Sequence, residues 1–151
     1  MNGKPIFAGS GEGEVLRVVE DEVRVLAAGR DTGGAYEIFE LSGPRESGPP
    51  PHAHPWSEAY VLLEGEVEVT FGDRKLNATP GCFVNIPAGM THAYRVLSEG
   101  ARFVVVTSPA GAGEFFAELD REAGGSKDLE NILKVALRHG LTVPLPPPAV
   151  A

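Results

Sequence analysis

Between residues 15 and 107 the chain is cut into short runs rich in Val, Leu, Ile, Phe and Tyr, and this punctuation constrains the fold more than any other feature. The runs fall at 15–19, 23–27, 35–41, 59–63, 67–71, 75–78, 83–86, 93–97 and 103–107. Each is too short for a helix and long enough for a strand. In Glu66-Val67-Glu68-Val69-Thr70-Phe71 the apolar positions are odd and the polar ones even, the period of a half-buried strand. Gly72-Asp73 makes a two-residue hairpin turn, and Gly65-Glu66 and Thr79-Pro80-Gly81 supply further turns. The 19 glycines and 13 prolines are spread along the chain, not gathered in one linker. Many strands with no helix between them imply an all-β sandwich or barrel.

The pattern changes after Ser108-Pro109-Ala110-Gly111. Residues 114–122 read as a short amphipathic helix with Phe115, Phe116 and Leu119 on one side. A second helix begins at a Ser126 or Asp128 cap, carries the stripe Leu129, Ile132, Leu133 and Ala136, and ends with Arg138-His139 before Gly140. The tail Leu145-Pro146-Pro147-Pro148 cannot be helical and reads as an extended arm. The expected organisation is N-terminal strands over 1–34, a barrel over 35–109, and helices with a Pro-rich tail over 110–151.

Charge and composition exclude several classes of function. A net charge of −8 lacks the basic face needed for nucleic acid or an anionic membrane. No apolar run approaches a membrane span, and the start lacks the regions of a signal peptide. The single Cys82 forms no intrachain disulfide, so the expected compartment is the cytoplasm. Glu20-Asp21-Glu22 reads as a solvated turn.

Three of the four histidines carry the chemistry. His52, His54 and Glu58 share parity, so an extended strand would point all three at one face. Pro87-Ala88-Gly89 is a turn that brings His92 back towards them. Three imidazoles and a carboxylate suit a divalent transition metal: iron, manganese, nickel, copper, cobalt or zinc. The expected cofactor is one such ion per chain. Tyr60, Leu62, Tyr94 and Val96 share parity with the ligands on their strands and are expected to wall the substrate pocket, with Phe39 beside them.

The spacing His52-x-His54, Glu58, Gly65, followed by Gly81, Pro87-x-Gly89 and His92, resembles the two motifs of the cupin superfamily, in particular small single-domain cupins related to quercetin dioxygenase. The resemblance implies a double-stranded β-helix, or jelly-roll, barrel with a short helical C-terminus. It implies that His52, His54, Glu58 and His92 bind the metal and that Glu58 also accepts a proton from substrate. The activity implied is a metal-dependent dioxygenase acting on a small enol, diketone or phenol. The alternatives are a non-catalytic metal and small-molecule binding module, or a metal-assisted isomerase or lyase. An N-terminal strand crossing to a second subunit would make a homodimer. Three positions depart from the motifs. Glu46 stands where a glycine is usual, Cys82 where an Asp is usual, and Val96 where an Asn is usual, which would remove a polar contact from the pocket.

Overall fold

The computed structural model describes residues 3–144. Nine strands come first: β1 (Val15–Val18), β2 (Asp21–Ala27), β3 (Glu37–Pro44), β4 (Ser57–Glu64), β5 (Val67–Phe71), β6 (Arg74–Ala78), β7 (Phe83–Ile86), β8 (His92–Val96) and β9 (Gly100–Ser108). Two helices follow, α1 (Ala112–Ala123) and α2 (Leu129–Arg138). The strands form a six-stranded sheet in the order β1-β2-β3-β9-β4-β7 and a three-stranded sheet in the order β6-β5-β8. The architecture is the expected all-β double-stranded β-helix with a helical C-terminal segment.

Strand alternation decides which side chains enter the barrel. β9 buries Ala101, Phe103, Val105 and Thr107, while β3 buries Glu37, Phe39, Leu41 and Gly43. Tyr60, Tyr94 and Phe103 meet edge to face with centroids 5.3–6.0 Å apart. This geometry favours aromatic pairs electrostatically as well as by burial. The hairpin between β5 and β6 turns at Gly72-Asp73, with Gly72 at φ +60°, as its sequence requires.

Several boundaries and one burial differ from expectation. β3 begins at Glu37, two residues late, and runs on to Pro44 because it pairs with β9 from Thr107 to Gly100. Asp21 is no solvated turn residue. It opens β2 and is only 6% exposed. In the N-terminal segment β1 pairs with β2 and β2 with β3. The Pro-rich segment from Leu145 onward lies outside the described residues.

α1 packs on β1 and on α2, burying Phe115 and Leu119 of its expected stripe, whereas α2 buries Ala136 of its stripe together with Val135, which the pattern does not mark, and leaves Leu129 exposed. The buried Glu37 carboxylate fixes the start of α1. Its Oε1 accepts from Thr107 Oγ1 at 3.1 Å and from the Gly111 N–H at 2.9 Å, and the Gly113 N–H also donates to it. A carboxylate from a neighbouring strand thus caps the free N–H groups of this helix. For α2, Asp128 is the cap, accepting from the Asn131 N–H. Arg138 pairs with Glu118 and Glu122 across the two helices, and His139 pairs with Glu118.

Candidate metal centre and its cavity

Sharp local geometry, not one continuous strand, gathers the histidines. Pro55 and Trp56 form a bend, so β4 starts only at Ser57 and carries Glu58 alone of the first cluster. His52 instead bridges to His92: each backbone N–H donates to the other's carbonyl, at 3.0 and 2.9 Å. The turn at residues 87–89 reaches across to donate its Gly89 N–H to the His54 carbonyl at 2.9 Å, with Gly89 at φ +81°. Ser57 Oγ also accepts the Ala88 N–H at 3.3 Å. The three residues grouped by parity thus come together through a bend in the chain.

The side chains converge. One ligating nitrogen from each of His52, His54 and His92 lies within 4.8 Å of the others, and all three residues are buried. Each Nδ1 donates to a main-chain carbonyl: His52 to Pro50 at 2.9 Å, His54 to Trp56 at 2.8 Å, and His92 to Met90 at 2.9 Å. A carbonyl oxygen only accepts, so each Nδ1 carries its proton and each Nε2 of a neutral ring presents a lone pair. Glu58 Oε2 sits 2.8 Å from His54 Nε2 and 3.2 Å from His92 Nε2. Three nitrogen lone pairs and a carboxylate facing one another require a proton or a cation among them. That donor set fits a divalent transition metal, and the carbonyls holding Nδ1 are the outer partners such ligands need. Trp56 stacks on His54 at 4.6 Å and 13°, fixing the ring plane.

Burial and mutual contact reset the charges in the cluster. Burial is the main cause that pushes His52 from 6.5 down to about 4, and the nearby His92 adds to it, so its ring is neutral near pH 7. For Glu58, burial alone would raise the carboxyl. A proton or cation shared with the imidazoles of His54 and His92 outweighs it and takes Glu58 from 4.5 down to about 2. Burial, with the Glu58 charge behind it, pushes the Tyr60 phenol well above its usual range.

The cluster opens into a cavity of about 340 Å³ whose wall includes His52, His54, Glu58, Tyr60, Tyr94 and Trp56. Tyr60 and Tyr94 thus lie in it, whereas the other residues expected there do not. Leu62 borders a separate void of about 10 Å³ with Val67 and Val69, one strand repeat beyond Tyr60. Val96 is fully buried two residues past Tyr94, so its apolar side chain removes no polar contact from this cavity. Phe39 belongs to a different cleft of about 440 Å³ that shares no residue with the histidine cavity. Same-face parity holds along a strand, but Tyr60 and Tyr94 close the floor and hide the side chains deeper in the barrel. Cys82, half-buried beside Thr79, is also outside the wall.

Strand parity missed most of the wall. Phe115, Phe116 and Leu119 of α1 and Leu129, Ile132, Leu133 and Ala136 of α2 line the cavity. Their helical stripes were visible in sequence as docking faces, and they dock over the barrel mouth. Asp21 also lines it, its Oδ2 accepting from the Tyr94 O–H at 2.5 Å. Burial raises the Asp21 carboxyl against the lowering effect of that bond.

A β-helix barrel with clustered histidines at its mouth defines a class of protein, and the comparisons agree with it. Residues 39–107 match the model of the Cupin domain. The chain is 33% identical over 114 residues to quercetin 2,3-dioxygenase of Bacillus subtilis, covering 75% of this chain and 34% of that enzyme. It therefore spans about one third of that relative's length. An uncharacterized protein of Streptomyces coelicolor is 31% identical over 72 residues, 48% of this chain and 67% of that one. Among solved structures, the polyketide cyclase RemF of Streptomyces resistomycificus superposes with a TM-score of 0.62 at 23% identity, over 69% of this chain and 79% of that one. The chain belongs to the cupin superfamily. Among the described residues no helix is long and apolar enough to cross a membrane.

Proposed function

We propose that the protein is a metal-dependent dioxygenase acting on a small enol, diketone or phenol, with His52, His54, Glu58 and His92 as the ligand set. The observation that carries this reading is the convergence of three Nδ1-anchored histidines and the Glu58 carboxylate at one end of a largely apolar cavity. The similarity to a quercetin 2,3-dioxygenase supports it. A redox-capable ion there would supply Lewis acidity and a route for electrons between substrate and dioxygen. The chain's own residues have separate tasks. Glu58, ionised at neutral pH, accepts the substrate's acidic proton on the carboxylate face turned from the imidazoles. The rings of His52, His54 and His92 are held in one tautomer by backbone carbonyls and need no reorganisation. Helices α1 and α2 line one side of the cavity and would shield bound substrate from water.

A non-redox lyase, isomerase or cyclase, or a binding module, would use the same ligand set, and the likeness in fold to a polyketide cyclase favours the first group among these. Oxygen uptake by iron-, manganese-, nickel- and copper-loaded protein with neutral enols and flavonols separates the readings. Uptake that disappears in Glu58→Gln supports the dioxygenase. Conversion or binding of those compounds without uptake assigns the site to the second group. We further infer that the protein works as a homodimer in the cytoplasm, since among the described residues no strand pairs with the outer edge of β1, where only the Arg17 N–H is taken by Asp120, and Cys82 is a free thiol. A solution mass near twice 15.9 kDa is expected, and a monomer would contradict it.

A further inference from the structure

The cavity lined by His52 and His54 carries carboxyls and almost no positive charge. Glu20, Asp21, Glu46 and Glu58 border it, while among the described residues Lys127 is the one Lys or Arg in its wall. Lys127 does not serve the interior: its Nζ pairs with Glu20 at 2.6 Å, and its side chain is 70% exposed at the rim. Asp21 is buried in the wall beside Ser47, with Oδ2 bonded to Tyr94. Apart from Ser47, the two tyrosines and the histidines, the remaining surface is mostly hydrocarbon from both the barrel and the helices, including Leu41, Trp56, Phe115, Leu119, Ile132 and Leu133. A carboxylate or phosphate buried against such a wall loses its hydration and meets no counter-ion.

We propose that this cavity selects a small, uncharged and predominantly apolar ligand whose one ionisable group lies at the histidine end, and that it rejects carboxylic acids, sugar acids and phosphates. The selection rests on the reading of the histidine cavity as the substrate site and narrows it, because enols and phenols bearing a remote acid are excluded. Charge at the histidine end is tolerated because a divalent ion there can balance one anionic oxygen. Elsewhere in the wall nothing can.

Benzoylacetone and its para-carboxylate make a matched pair, since both carry the same enolisable diketone and differ only at the far end of the ring. Calorimetric titration of wild-type protein, metal-free and metal-loaded, is expected to show benzoylacetone binding at least about tenfold more tightly than the carboxylate in both states. Leu133→Lys places a cation in the wall and is expected to narrow that gap. Equal or tighter binding of the carboxylate, failure of benzoylacetone to bind in either state, or an unchanged gap in folded Leu133→Lys overturns the proposal. The wild-type comparison stands alone if the variant does not fold. Oxygen uptake on the same samples separates the two ideas. Selective binding without uptake leaves the selectivity intact and counts against the dioxygenase, whereas uptake driven by the carboxylate does the reverse.

Discussion

His52 ties the site to stability through its charge. The unfolded imidazole takes up a proton near pH 6.5, and the folded one refuses it until about 4. The unfolded chain therefore binds more protons in that window, so stability of the metal-free protein falls as pH drops through 6.5, with the loss complete near 4. Between pH 7.5 and 5 the expected loss is about 2 kcal/mol, read by urea denaturation. His52→Ala is expected to flatten that segment of the profile, and an equal slope in the variant would assign the effect elsewhere. Glu58 acts lower, its contribution present above 4.5 and lost as pH falls towards 2. A second residue stores strain outright. Glu46 occupies the position where the resembled motif has glycine, and its φ is +71°. Its backbone N–H still donates to the Val96 carbonyl at 2.9 Å, so the turn is kept at the expense of a left-handed non-glycine residue. The pair it forms with Arg95 is exposed on both sides and offsets little. Glu46→Gly is expected to raise stability by about 1 kcal/mol, or about 2–4 °C in Tm. A lower Tm would show that the ion pair matters more than the backbone. At this scale the sequence was informative about identity and poor about surroundings. The motif spacing marked His52, His54, Glu58 and His92, but nothing local distinguishes Asp21 from Glu20 and Glu22. Burial of Asp21 depends on Tyr94, which lies 73 positions away in sequence.

Among the elements, the strands were legible because their alternation is a local consequence of burying one face. β5 and β7 fall where the apolar runs place them, and the others differ by a few residues at their ends. The ends depend on partners: β9 extends to Gly100 and Ser108 because β3 and β4 flank it on both sides. Which strand side chains reach the cavity was less legible, since parity fixes a face and not a depth. Tyr60 and Leu62 share a face of β4, yet Tyr60 lines the site while Leu62 lies beyond its floor. Between elements, Glu37 is the joint most open to test, because one carboxylate of β3 satisfies Thr107 of β9 and two N–H groups at the start of α1. Glu37→Ala strands those donors and is expected to destabilise by about 2–4 kcal/mol in chemical denaturation. Since α1 also walls the cavity, the same variant should weaken binding of apolar ligands. A loss under about 0.5 kcal/mol would mean that solvent replaces the carboxylate easily and that α1 is not anchored there.

The whole molecule divides its tasks between a barrel that positions donors and a helical pair that closes the space above them. The barrel was readable from one sequence because strand period, turn residues and motif spacing all agree. The closure was not, because the docking site of an amphipathic stripe is a tertiary fact. Phe115 and Leu133 looked like ordinary core-facing residues and prove to be cavity wall. The division of labour also predicts how the two parts fail. Changes in the helices should alter ligand choice and leave metal content intact, while changes at the histidines should abolish metal and leave the fold intact. The metal centre is tested by elemental analysis of untagged protein beside His52→Ala and His92→Ala, with circular dichroism confirming that each is folded. About one divalent transition metal per wild-type chain, lost in both folded variants, is the expected result. Wild-type protein that takes up no metal after reconstitution, or variants that retain it fully, would contradict the metal centre on which the account rests.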